Sequence, residues 1–150
     1  MEHNALLGPV VALVAWTLVM MVWMALARGK EFRRMGISRA TIPDGARGCD
    51  LDGKALPQAQ WKAHNYMHLM EQPTIFYAIV FALILMDFDA PINVWLAWGY
   101  VALRIAHSIF QATLNIVRYR LMLFALSSLS AAWSVSASRH RLLNANSISR

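Results

Sequence analysis

The chain has 150 residues, 58% of them hydrophobic, and a positive mean hydropathy. This composition excludes an ordinary soluble domain of that length and leaves room for one domain over 1–150. The net charge of +6 is what a membrane protein with basic cytoplasmic segments carries. We therefore expect no nucleic-acid partner. The single cysteine, Cys49, excludes an intrachain disulfide and is typical of a reducing compartment.

Four apolar segments predict an all-α fold, a four-helix transmembrane bundle. The predicted spans cover about 5–27, 62–86, 92–117 and 120–138. A helix of roughly 20 apolar residues crosses a hydrocarbon layer about 30 Å thick, and all four segments are close to that length.

A long basic loop, 28–60, follows the first span. It contains seven lysines and arginines, whereas the short connection between the second and third spans carries two aspartates. The positive-inside rule therefore places the loop in the cytoplasm and both termini on the other side. Glycines and prolines predict an irregular segment with at most a short helix near Lys30 to Met35, whose positive charge suits anionic lipid headgroups.

The third span carries a polar stripe on an otherwise apolar helix. At 100° per residue, its members lie within about a quarter turn of one another. They are Arg104, His107, Gln111, Asn115 and Arg118. Because an arginine near the bilayer centre costs about 2.5 to 3.5 kcal/mol on insertion scales, we expect this stripe to line an interior site.

The second span carries a matching polar face. His64, His68 and Glu71 recur at i, i+4 and i+7, and Pro73 then interrupts the helix. Measured from the connection between the two antiparallel spans, Glu71 lies roughly 24 Å from Asp87 and Arg104 roughly 20 Å from Pro91, at ~1.5 Å per residue. The similar depth predicts a buried Glu71–Arg104 ion pair.

The fourth span is rich in small side chains, which let membrane helices approach closely and predict a helix or subunit interface. These residues are Ser127, Ser128, Ser130, Ala131, Ala132 and Ser134.

The polar groups of the second and third spans favour a ligand site over a purely structural network. Arginine and histidine donors outnumber the single carboxylate, which indicates an anionic, hydrogen-bonding ligand. A metal site built from the H-x-x-x-H pair, Glu71 and His107 is an alternative. Arg104 and Arg120 would repel a divalent cation, so we predict no metal ligands here.

Two sequence blocks resemble the signature regions of the MAPEG family, the membrane-associated proteins of eicosanoid and glutathione metabolism. They are H-N-x-x-H-L-x-E-Q-P-x-I-F-Y (64–77) and R-I-A-H-S-x-x-x-x-x-x-N-x-x-R-x-R-x-x-x-F (104–124). The resemblance extends to the four-span layout and the long basic loop, and it is closest to bacterial members. It implies a location in the bacterial inner membrane, with both termini periplasmic.

The resemblance implies a homotrimer that binds glutathione, as co-substrate, between the second and third spans of neighbouring subunits. In such a site Glu71, Arg104 and His107 would hold the polar ends of the tripeptide. The other predicted binding residues are His64, His68, Gln111 and Arg118. Arg120 matches the family arginine that stabilises the glutathione thiolate, which makes it the predicted catalytic residue.

The chain departs from the family pattern at five positions. His64, His68 and Gln111 stand where the family has arginine, asparagine and tyrosine. Leu121 and Phe124 replace the hydroxyl residues of eicosanoid synthases, so prostaglandin or leukotriene synthesis is not supported.

The function that the resemblance implies is a glutathione-dependent transferase or peroxidase acting on lipophilic electrophiles from the bilayer. Its expected partners are glutathione, a lipophilic small molecule and membrane lipid. Two alternatives remain open, a non-catalytic lipid- or thiol-binding membrane protein and a membrane metalloenzyme that uses the histidines.

Overall fold

Five helices make up the part of the chain that this computed structural model describes, residues 4–129. They are α1 (Leu7–Arg34), α2 (Pro57–Glu71), α3 (Pro73–Leu85), α4 (Pro91–Thr113) and α5, helical over 117–129. Two 3₁₀ turns, Arg39–Thr41 and Gly48–Leu51, lie between α1 and α2. No β-strand occurs within 4–129, and the predicted all-α architecture is confirmed.

Proline begins three of the helices, because its missing N–H costs nothing in the first turn. Pro57, Pro73 and Pro91 open α2, α3 and α4. Gln72 keeps helical dihedrals between α2 and α3, with φ −72° and ψ −40°. The two helices therefore form one rod, Pro57–Leu85, interrupted at Pro73 as the sequence predicts. This rod of 29 residues and α1, with 28, are long and apolar enough to cross a membrane.

α1 extends further than its sequence pattern predicts. The basic stretch after residue 27, expected to be loop with at most a short separate helix, forms the last two turns of α1, which ends at Arg34. Gly36 then adopts φ +68°, and the Ile37 N–H donates to the Phe32 carbonyl at 2.9 Å. A glycine in the left-handed conformation allows this compact helix end, which satisfies a terminal carbonyl.

The buried residues of α1, α3 and α4 form the main core. Leu13, Val80 and Val101 are at most 2% exposed, and the Phe76 ring stacks on Tyr100 with centroids 4.3 Å apart. This packing turns the polar face of α4 towards α2. A buried hydrogen bond then joins those two helices, since the Asn65 side-chain amide donates to Ser108 Oγ at 2.7 Å.

Lys62 links the end of α4 to α1 and α2. Its Nζ donates to the carbonyl of Ala112 at 3.1 Å and to that of Gln58 at 2.8 Å. The same ammonium lies 5.4 Å from the ring centroid of Trp23. The last carbonyls of a helix lack intrahelical partners and carry partial negative charge, so this lysine is suited to fix where α4 ends.

Glu31 ties the long connection to the end of α1. Its carboxylate accepts two hydrogen bonds from the Arg34 guanidinium, at 2.6 and 3.0 Å. It also accepts the backbone N–H of Leu56 at 2.7 Å. Leu56 is the residue before α2, so one buried carboxylate holds both ends of the intervening segment together.

We expect Glu31→Ala to loosen this segment without unfolding the helices. Trypsin should then cleave after the exposed Arg47 and Lys54 several-fold faster than in wild type. Limited proteolysis in detergent, followed by mass spectrometry, measures this rate. Asp44→Ala is the matched control, because it removes a carboxylate from the same segment but leaves the Glu31 contacts intact. Equal cleavage rates in wild type and Glu31→Ala would show that the contacts do not order the segment.

Candidate functional site

Arg104 is the centre of the polar site. It lies on α4 and is only 1% exposed. Its Nε donates to Tyr100 Oη at 3.0 Å, and its Nη2 donates to Gln72 Oε1 at 3.3 Å. Nη1 lies 3.3 Å from His68 Nε2. Because a guanidinium can only donate, this contact requires an unprotonated Nε2 on His68.

All three polar partners of Arg104 are neutral. The predicted ion pair with Glu71 is wrong for this chain, since Glu71 is exposed and no carboxylate in 4–129 lies within ion-pair distance of Arg104. Helix length alone predicted that both residues lie at the same level. It did not determine the rotation of α2, which presents the ridge of His68 and Gln72 to Arg104 and turns Glu71 aside.

Two histidines and a phenylalanine complete the walls around Arg104. The rings of His68 and His107 lie 5.1 Å apart, and His107 is 2% exposed. Phe124 of α5 lies 5.7 Å from His68 and 5.4 Å from the Arg104 guanidinium carbon, measured to its ring centroid. Gln111 is also buried, and its Oε1 finds no hydrogen-bond partner in the described chain. The polar stripe of α4 therefore faces the interior over Arg104, His107 and Gln111, as predicted.

The end of α4 removes two members from the predicted stripe. The third span is predicted over 92–117, but α4 stops at Thr113. Asn115 adopts φ 49°, and its N–H donates to the Phe110 carbonyl at 2.9 Å. Asparagine tolerates this left-handed conformation better than most residues. Asn115 is thus a turn residue, and Arg118 lies on α5, where it is exposed.

Arg120 lies on α5 but reaches back to the turn. Its Nη1 donates to Asn115 Oδ1 at 2.8 Å, and it is half-buried. Phe124, one helical turn further along α5, contacts both His68 and Arg104. Arg120 therefore adjoins the Arg104 site, whereas the exposed Arg118 lies on the outer surface of α5.

His64 lies apart from the other histidines. Its ring is about half exposed, and Nε2 lies 3.5 Å from an Asp52 carboxylate oxygen in the long connection. The H-x-x-x-H spacing consequently does not bring His64 and His68 to one ligand. Nowhere in 4–129 do three or more histidine, cysteine, aspartate or glutamate side chains group closely enough to hold a metal ion.

Sequence reasoning did not assign Tyr100 and Phe124 to the site. Tyr100 precedes Arg104 by four residues and shares its face of α4, so the spacing contained the signal. Phe124 closes the second signature block and also departs from the eicosanoid-synthase pattern, but its contact with Arg104 depends on how α5 folds back. Most of the small-residue stripe, from Ser130 onward, lies outside the described residues. Within them, the buried Ser127 donates from Oγ to the Phe124 carbonyl at 2.8 Å.

The architecture and site define a class of protein, an all-helical membrane bundle with a buried arginine among neutral polar groups between its helices. The sequence profile of the MAPEG family matches residues 6–138, nearly the whole chain. The chain therefore belongs to the MAPEG family, and it is a membrane protein related to glutathione and eicosanoid metabolism. No individual curated protein and no solved structure matches it.

Proposed function

We propose that this protein is a glutathione-dependent transferase or peroxidase that acts on lipophilic electrophiles. The observation that carries the proposal is the buried Arg104 guanidinium, whose hydrogen-bond partners are all neutral. Burying a cation without a countercharge costs several kcal/mol even after the protein relaxes. Removing one partner of a buried ion pair, which leaves such a charge behind, costs ~3–5 kcal/mol. An anionic ligand would supply the missing charge.

The site residues fit a peptide carboxylate. Arg104 has five N–H donors, of which three are directed to protein partners, so donors remain for a bidentate contact with a carboxylate. The unpartnered Oε1 of Gln111 can accept an N–H from the same ligand. Glutathione carries two carboxylates, an ammonium group and two amide N–H groups, which matches this mixture of donors and acceptor.

Arg120 is the proposed catalytic residue. A guanidinium stays charged throughout the physiological pH range and stabilises an adjacent thiolate by ion pairing. The thiolate is the nucleophile that would attack an electrophile. Around Arg120, α5 presents the exposed apolar side chains Leu121 and Met122, so a hydrophobic second substrate could reach the site from the lipid.

We also propose that the protein forms a homotrimer in a bacterial inner membrane, with both termini periplasmic. The basic charges between α1 and α2 support this orientation through the positive-inside rule. Exposed apolar side chains along α1, such as Val11, Leu18 and Val22, suit contact with lipid or with another subunit. Glu71 is exposed in the single chain, which leaves its carboxylate available to a neighbouring subunit or to the ligand.

The test compares wild-type protein in detergent with glutathione and with an analogue that has serine in place of cysteine. We expect both peptides to raise the melting temperature, because both carry the carboxylates that Arg104 would bind. Only glutathione should produce the ultraviolet absorbance of a thiolate. Stabilisation without thiolate formation or turnover would favour a binding protein. Failure of both peptides, together with stoichiometric metal by elemental analysis, would favour a metalloenzyme.

A further inference from the structure

A cavity of about 660 Å³ lies beside the basic end of α1. It shares no lining residue with the Arg104 site, since it lies between the last turns of α1 and the segment 37–54 and is partly open to the surroundings. α1 carries no charge between Leu7 and Ala27, so Arg28 marks the membrane surface. The remaining six residues to Arg34 rise about 9 Å at ~1.5 Å per residue, which places the cavity at the depth of lipid headgroups.

The polar lining of this cavity carries more positive than negative charge. Its cations are Arg28, Arg47 and Lys54, and its carboxylates are Asp44 and Asp50. None of the three cations forms an ion pair with a carboxylate of the described chain. One Asp50 oxygen is already occupied, because it accepts the backbone N–H of Arg47 at 2.7 Å.

Arg28 is held at the cavity by the backbone of the opposite wall. Its Nη2 donates to the Gly48 carbonyl at 3.4 Å, while its buried Nε has no hydrogen-bond partner within the described residues. A Cβ at Gly48 would lie only 2.5 Å from Nη2, so glycine is what lets the guanidinium pack there. The Glu31 contact with Leu56 closes the same segment, and the cavity walls are therefore fixed at both ends.

The other side of the cavity is apolar. Phe32, Ile42 and Leu51 line it, and all three are partly exposed. Cationic groups beside an apolar surface, at headgroup depth, suit a ligand with an anionic head and a hydrocarbon portion. The volume falls within the range of about 300–1,000 Å³ that is usual for small-molecule sites.

We propose that this cavity binds a phosphate ester, the headgroup chemistry of an anionic phospholipid. Arg28 contributes the buried part of the site, and the exposed Arg47 and Lys54 provide the charge at its mouth. The phosphate oxygens accept hydrogen bonds from both arginines. The apolar wall receives the first part of an acyl chain.

The test reconstitutes full-length protein in nanodiscs containing equal amounts of phosphatidylglycerol and phosphatidylcholine. Native mass spectrometry then measures which lipid remains bound after the protein is released from the nanodisc. The test variant combines Arg47→Gln with Lys54→Gln. The control combines Lys30→Gln with Arg33→Gln, which removes the same charge from exposed residues of α1 that do not line the cavity. A separate titration with glycerol 3-phosphate distinguishes a lipid from a soluble phosphate ester.

We expect wild type and control to retain phosphatidylglycerol at least tenfold over phosphatidylcholine, and the test variant to lose this preference at an unchanged melting temperature. Tight binding of glycerol 3-phosphate without a lipid preference would support the phosphate site and would show that its ligand is a soluble phosphate ester, not a lipid. Equal losses in control and test variants would overturn the proposal, because diffuse surface charge would then explain binding. Absence of both lipid preference and glycerol 3-phosphate binding would overturn it as well.

Discussion

Replacing Arg104 with methionine is expected to abolish the stabilisation of the protein by glutathione. In wild type, a ligand at 100 times its dissociation constant stabilises the folded state by about 2.7 kcal/mol. Methionine has similar length but no charge, so the variant offers the ligand carboxylate no countercharge. Thermal melts in detergent, with and without glutathione, measure the difference.

The ligand-free melts of Arg104→Met carry separate information. Breaking a buried ion pair costs about 3–5 kcal/mol, because one charge is left uncompensated. Arg104 has only neutral partners here, so we expect a smaller loss than that. Glu71→Gln, which alters an exposed carboxylate, should leave the ligand-free melt unchanged. A wild-type glutathione response in Arg104→Met would contradict the assignment of Arg104 to the ligand site.

Replacing Arg120 with alanine is expected to abolish thiolate formation while glutathione still binds. A free cysteine thiol has a pKa of about 8.5, so most of it is protonated at neutral pH unless a cation lowers that value. Losing one charge-stabilising group typically lowers kcat by about 10²–10³-fold. The dissociation constant should change by less than about tenfold, since Arg104 provides the main contact. Thiolate absorbance and steady-state kinetics measure the two effects.

The pH dependence provides a second readout for Arg120→Ala. Thiolate content rises about tenfold per pH unit below the thiol pKa, so the variant should recover activity as the pH approaches about 8.5. Wild type, in which the thiolate forms at lower pH, should show little change over that interval. Arg118→Ala is the matched control, because Arg118 is exposed on the same helix. Loss of the thiolate signal in Arg118→Ala alone would reverse the roles of the two arginines.

Much of the fold follows from local sequence. The uncharged length of α1 and the prolines that open α2, α3 and α4 act within a few residues of their own positions. The inward face of α4 is equally local, since Arg104, His107 and Gln111 repeat at helical spacing. The uncharged length of α1, the interruption at Pro73 and the inward face of α4 were predicted from the sequence, and the family was recognised from two short blocks. The start of α2 at Pro57 was not predicted, since that residue was assigned to the loop.

The partners of the site residues depended on tertiary structure. Helical periodicity fixes which residues share a face of α2, but the rotation of that face towards α4 depends on packing between helices. The choice of Gln72 and His68 over Glu71 therefore could not be read from α2 alone. Arg104 in consequence lies among neutral groups, and this makes the site suitable for an anion.

The connection between α4 and α5 also combines features set by local sequence with features set by tertiary contacts. Sequence periodicity carries the polar stripe through Asn115 to Arg118 without interruption, yet the helix ends at Thr113. The ammonium of Lys62 satisfies a terminal carbonyl there, and it comes from α2, 50 residues earlier. The sequence by itself determined that Arg104 and the polar groups beside it on α4 would face the interior of a membrane bundle. Contacts between distant segments determined which of them meet, because a helix end and a helix rotation are settled by neighbours that local spacing does not specify.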